Sequence, residues 1–328
     1  MKNLKELFMH MVTRQNTRKE CKLLGQGSYS MVWDIGGDAY KLTNELSYDG
    51  AIDMQARSNK LARAGVNVAK VYEVDKFVTT TNSVIMNLKS FYNHNELRDY
   101  YRILKDFSKN FSENEGKYVY VGIKQQKIDG RQCFKEEYYR NIRVLNQSTA
   151  YGNTITRELY SNVATELTHN LDFFGDIPAD QYAKFISDGA KLMQEGLTID
   201  NYLQTNFLYD PNKGFYYIDV AGLQTLKPVE NIFDSTVENV CSMCYINLDD
   251  YDEDFAKKQL DLCIVLSEGI KEVLTDENIQ KQFNEYISKE NSLKNMFNYA
   301  IANVDKTTAA TYINSMRQIF SQYQPESE

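Results

Sequence analysis

With 328 residues, 25% of them charged and 42% apolar, the chain has the make-up of a globular protein long enough for one large or two ordinary domains. A net charge of −8 and an isoelectric point near 5.2 argue against a nucleic-acid binder, which carries a basic domain or stripe. No segment approaches the roughly 18 consecutive apolar residues needed to span a bilayer.

The chain opens on Leu4, Leu7, Phe8 and Met11 at helical spacing, which predicts an amphipathic helix over 1–19 and no signal peptide. Residues 20–43 then predict a three-strand meander, about 21–25, 29–35 and 38–43, turned at Gly25-Gln26-Gly27 and Gly36-Gly37. The first turn lies between antiparallel strands with no helix after it, which excludes the dinucleotide-binding arrangement and leaves a glycine-rich flap. Lys41 on the third strand would lie under that flap. A helix follows over 47–65, with Ile52, Gln55/Ala56 and Leu61 inward and Gly65 as its stop. Strands at 66–75 and 117–123 enclose a polar helical excursion at about 90–116, and 124–130 reads as a connector closing an N-terminal lobe over 20–130.

From 131 to 323 the pattern is helical, with helices at 134–144 and 154–170 and one from Pro178 to Gly196. Others are expected near 229–247, 253–274, 276–288 and 291–323, before a frayed tail at 324–328. One stretch interrupts them. In 197–223, Phe207-Leu208-Tyr209 and Phe215-Tyr216-Tyr217-Ile218 predict two strands turned by Asp210-Pro211-Asn212-Lys213-Gly214. That hairpin brings Asn206 and Asp219 to one end, where an amide oxygen and a carboxylate suit a hard cation such as Mg2+.

Other constellations read as structural. Asp250, Asp252 and Asp254 resemble the start of a calcium loop, but Phe255 stands where glycine is required and Asp261 where glutamate is, so these acids open a helix. Cys241 and Cys244 form a lone CxxC at helical, core-facing positions. Five cysteines (Cys21, Cys133, Cys241, Cys244, Cys263) are an odd number that favours reduced thiols and a cytoplasmic setting. His10, His94 and His169 are scattered and support neither a triad nor a metal centre.

Taken in order, these pieces resemble the protein-kinase-like fold over roughly Leu23 to Leu223: an α+β, two-lobed architecture with a small antiparallel β lobe carrying one helix and a larger, mainly helical lobe. Gly25, Gly27, Ser28, Ser30 and Val32 resemble the glycine-rich loop, with Ser30 in place of the third glycine. Ala39-Tyr40-Lys41 resembles the strand of the phosphate-binding lysine, and Gln126-Lys127-Ile128-Asp129-Gly130 the hinge that receives adenine through backbone groups, with Gln126 and Ile128 as its contacts. Asn206 matches the catalytic-loop asparagine, and Asp219-Val220-Ala221 matches the Asp-Phe-Gly metal site by its aspartate alone.

The resemblance implies transfer of the γ-phosphoryl of ATP to a hydroxyl acceptor, protein Ser/Thr first, with Lys41 on the phosphates and Asn206 and Asp219 on Mg2+. Asn201 stands at the family's spacing for the catalytic aspartate and Asp200 one residue before it. Either the loop carries one extra residue and Asp200 orients the acceptor, or an asparagine holds the base position and the protein is impaired; a carboxylate is what accepts the proton, which favours Asp200. The helix has no glutamate for Lys41, only Asp49, Asp53 and Gln55, of which Gln55 fits best by offset. No Ala-Pro-Glu follows Asp219. The alternatives are a small-molecule kinase similar to the aminoglycoside and choline kinases, and a pseudokinase scaffold.

Overall fold

The computed structural model describes residues 22–26, 30–43, 47–79, 118–132, 141, 157–199, 207–218, 220–222, 231–245 and 252–321. The chain divides into two compact units. The first is Met1–Asp129 together with Glu195–Thr198 and Val220–Lys227, and the second is the remainder.

In the first unit, Gly36 and Gly37 take φ of +63° and +89°, which only glycine adopts without strain, and so turn β2 (Ser30–Ile35) tightly into β3 (Asp38–Thr43). β1 (Lys22–Gln26), β4 (Val71–Thr79) and β5 (Tyr118–Gln126) complete a five-stranded antiparallel sheet of order β1-β2-β3-β5-β4. Between β3 and β4 runs α1 (Tyr48–Arg63), capped by Ser47, whose Oγ accepts from the Gly50 amide at 3.0 Å. α1 buries Ala51, Met54, Ser58 and Leu61 against the sheet, while Ile52 is 39% exposed. Leu61 is inward as expected, and the rest of the stripe is offset from the expected Ile52 and Gln55/Ala56. Two of its four members are the small Ala51 and Ser58, which carry little hydrophobic signal, so Ile52 drew the prediction.

The strand expected from Val66 begins at Val71, since Val66 and Val68 are buried in a loop. Asn59 of α1 holds that start. Its amide donates to the Val71 carbonyl at 2.6 Å and its oxygen accepts the Val71 amide at 2.9 Å.

The second unit is mainly helical: α2 (Arg157–Gly175), α3 (Ala179–Gln194), α4 (Ile232–Ser235), α5 (Val237–Cys244), α6 (Glu253–Val273), α7 (Glu277–Ser288), α8 (Ser292–Ala302) and α9 (Lys306–Phe320). α6 is its axis, packing on α2, α3, α8 and α9. Gly269 permits the close approach to α3, since a Cβ there would lie 2.7 Å from the Ala179 carbonyl. The helix expected over 291–323 is two, because Asp305 caps a new start, accepting the Thr307 and Thr308 amides at 2.8 and 3.1 Å. The 229–247 helix likewise breaks, at Thr236. Asp252 caps α6 by accepting the Phe255 amide at 2.8 Å, the structural role read for that acidic run.

The protein is thus α+β, with a small antiparallel sheet and a mainly helical remainder. Among the described residues, no helix is long and apolar enough to cross a membrane. The expected helices at 1–19 and 134–144 and the excursion at 90–116 lie outside the described residues, apart from Asn141.

Candidate functional site

Antiparallel register puts directly opposed residues on the same face of a sheet. One row crosses the whole first-unit sheet: Gly25 pairs with Val32, Val32 with Lys41, Lys41 with Ile123 and Ile123 with Val74. Ala39, two residues before Lys41, shares that face and pairs with Gln125. Ser30 pairs with Thr43. The resemblance had grouped Gly25, Val32 and Lys41; the register brings them into one line, with Ala39 and Ser30 in neighbouring rows.

Lys41 is only 6% exposed, between Val32 and Ile123. An ammonium is rarely kept so far from water.

The three α1 residues considered as partners for Lys41 differ in their engagements. Asp53 is exposed and pairs with Arg57 at 2.8 Å. Asp49 is exposed at the helix start. Gln55 donates through Nε2 to the Val71 carbonyl at 3.3 Å. α1 therefore turns neither of its carboxylates to its buried face.

Gln126, the expected hinge residue, donates its backbone amide to the Lys70 carbonyl at 2.7 Å, so a ligand there must be met by other backbone groups of 124–130. Ile128 follows the strand end and is half-buried. Lys127 anchors this stretch, pairing with Asp34 at 3.0 Å and Asp129 at 2.9 Å, and both carboxylates hold its ammonium above the ordinary lysine range.

In the second unit the predicted hairpin forms from β8 (Phe207–Asp210) and β9 (Gly214–Tyr217), while β6 (Arg131–Gln132) adds to its edge. Gly214 at φ +85° and Asp210, whose carboxylate accepts the Asn212 amide at 2.8 Å, make the turn. Phe207 pairs with Tyr217, so the chain ends leading to Asn206 and toward Asp219 lie side by side.

The hairpin is held by aromatic packing against α3. Phe185 stacks on Phe215 and on Tyr217, with ring centroids 4.4 and 5.0 Å apart, and the Tyr217 hydroxyl donates to the Phe185 carbonyl at 2.7 Å. Burial pushes that phenol well above its ordinary pKa. Gly189 makes the room: a Cβ there would sit 2.4 Å from both the Tyr217 hydroxyl and Ile232 Cδ1.

Strands β7 (Leu197–Ile199) and β10 (Val220–Gly222) form a two-stranded ladder. Asp200 follows β7 directly in the sequence, and Asp219 directly precedes β10. Asp200, Asn206, Asp219, Gly27 and Ser28 lie outside the described residues. Among the described residues, no cluster of three or more His, Cys, Asp or Glu could hold a metal. Cys241, Cys244 and Cys263 are fully buried free thiols, and burial raises the pKa of each.

Sequence reading missed Arg57, Lys60 and Glu195. The Arg57 guanidinium donates to the Glu195 carbonyl at 2.7 Å and the Lys60 ammonium meets the Glu195 carboxylate at 2.5 Å. No local signal marked them, since charged residues on an exposed helix face read as solvation.

Compared with known proteins, the chain matches no family model and no curated protein.

Proposed function

We propose that this chain is an ATP-dependent phosphotransferase on a two-lobed protein-kinase-like fold, moving the γ-phosphoryl of Mg-ATP to a hydroxyl acceptor, protein Ser/Thr first, in the cytoplasm. The observation that supports it best is Lys41, buried on the third strand of an antiparallel sheet, in line with Gly25 and Val32 and followed in the chain by a helix. Protein kinases hold nucleotide phosphates with a lysine on that strand, beneath a glycine-rich turn. In this reading Lys41 holds the α and β phosphates, Asn206 and Asp219 supply oxygens to Mg2+, and Asp200 orients the acceptor hydroxyl. Such catalysis is positioning and charge neutralisation, which a few fixed side chains supply.

A second reading, a nucleotide-binding scaffold without transfer, draws on a specific observation: the two carboxylates of α1, Asp49 and Asp53, are both exposed. Thermal denaturation with ATP, with and without Mg2+, together with radiolabelled autophosphorylation, separates the two. A shift with label incorporation supports the enzyme, and a shift without label supports the scaffold. Neither shift nor label rejects both.

A further inference from the structure

The face of the sheet that carries Lys41 holds a second polar side chain, Gln125, which has no part in the reading above. Gln125 on β5 pairs with Ala39, and Ala39 stands two residues before Lys41, so the three share one face. Lys41 itself pairs with Ile123, which makes Gln125 its diagonal cross-strand neighbour, about 7–8 Å away and within reach of a long side chain. On the other side of Gln125 lies Val71 of β4.

Ala39, Val71 and Ile123 are all buried and apolar, and Gln125 between them is only 9% exposed. A carboxamide taken from water into such surroundings costs free energy unless its donor and its acceptor are both met. Neighbouring carboxamides are met. Gln55 and Asn59 donate to the Val71 carbonyl, Asn59 also accepts the Val71 amide, and Gln126 accepts the Lys70 amide at 3.5 Å. The Gln125 carboxamide makes no hydrogen bond among the described residues. A buried polar group kept without a partner calls for a ligand to complete it.

Its Nε2 donates and its Oε1 accepts, a pair that matches the edge of adenine in two bonds, where a ring nitrogen accepts and the adjoining 6-amino group donates. β5 runs from Ile123, opposite Lys41, through Gln125 and into the 124–130 connector. Lysine, carboxamide and connector therefore succeed one another in the order of phosphates, then base.

We propose that Gln125 is a base-reading residue, its carboxamide recognising the 6-amino edge of adenine while Lys41 holds the phosphates. This rests on the phosphotransferase reading and adds a side chain to the backbone groups expected to receive the base.

The test measures, by isothermal titration calorimetry on the full-length protein with Mg2+, the affinities of ATP and of purine riboside triphosphate, which lacks only the 6-amino group. A matched bidentate contact discriminates by about 10- to 100-fold. The wild type should prefer ATP by that factor. Gln125→Met, of similar length but without the amide, should lose the preference by weakening ATP alone. A wild type that binds the two nucleotides alike, or a folded Gln125→Met that keeps the preference, overturns this inference and leaves the phosphotransferase reading standing. Gln125→Leu replaces Gln125→Met should the latter not fold, and failure of both to fold marks a structural amide and overturns the inference too. A wild type that binds neither nucleotide overturns the phosphotransferase reading and this inference with it.

Discussion

Val32 on β2 stands directly opposite Lys41 on β3, and its partner on the other side is Gly25 of β1. A glycine, a branched apolar side chain and a buried ammonium therefore occupy adjacent places in one cross-strand row. That row is the part of the proposed nucleotide site that the sheet carries. It sits on sheet positions fixed by pairing, where residues are held more firmly than on a loop.

Replacing Lys41 by Met keeps the length and apolar stem of a residue buried in the sheet, so the fold should survive. The lost phosphate contact should lower kcat by about 10²- to 10³-fold, as the loss of one charge-stabilising donor does elsewhere. Circular dichroism and a steady-state assay on the same preparation check both halves.

Gly189→Ala should destabilise the protein by about 1–3 kcal/mol, because the added methyl meets both the Tyr217 hydroxyl and Ile232. Tyr217→Phe removes one of those two clashes and also the 2.7 Å bond to the Phe185 carbonyl, a loss of about 1 kcal/mol on its own. The double variant should then be more stable than the sum of the single losses predicts, and urea denaturation of all four proteins measures the coupling.

The three buried cysteines set an alkaline limit. Burial raises each thiol pKa in the folded state, so above the unfolded value of about 8.5 the unfolded chain releases protons that the folded one keeps. Their contribution to stability is complete below that pH and is lost as pH rises beyond it. Melting temperatures taken from pH 7 to pH 10 should decline, and Ellman's reagent should leave Cys241, Cys244 and Cys263 unmodified until the protein unfolds.

At the acid end, Asp305 behaves oppositely. Its bonds to the Thr308 hydroxyl and to the Thr308 and Thr307 amides hold its pKa below the ordinary aspartate value. The cap is intact above the unfolded pKa and is lost as pH falls through the lowered folded one. Hydrogen exchange at the first turn of α9 should accelerate over that range in the native protein, and Asp305→Asn should remove the pH dependence.

Much of this was legible in the sequence wherever one local rule was sufficient. The Gly36-Gly37 turn and the Asp210 to Gly214 turn each fixed a hairpin and its two strands. Helix breaks were missed where the apolar period runs on through them: Asp305 caps α9 inside a stretch that reads as continuous helix. The inward face of α1 was misjudged because Ala51 and Ser58 are buried without being markedly apolar. Arg57 and Glu195, 138 positions apart, meet only through tertiary folding, and no spacing rule reaches so far.

The central claim is that Lys41 belongs to a nucleotide site, and the most direct measurement is the melting temperature of the wild-type protein and of Lys41→Met with Mg-ATP. At a hundred times Kd, a ligand that binds only the folded state stabilises it by about 2.7 kcal/mol, or roughly 4 °C for a chain of this size. A rise of that order in the wild type, absent in Lys41→Met, is the expected result. A wild-type melting temperature unmoved by Mg-ATP at millimolar concentration contradicts it.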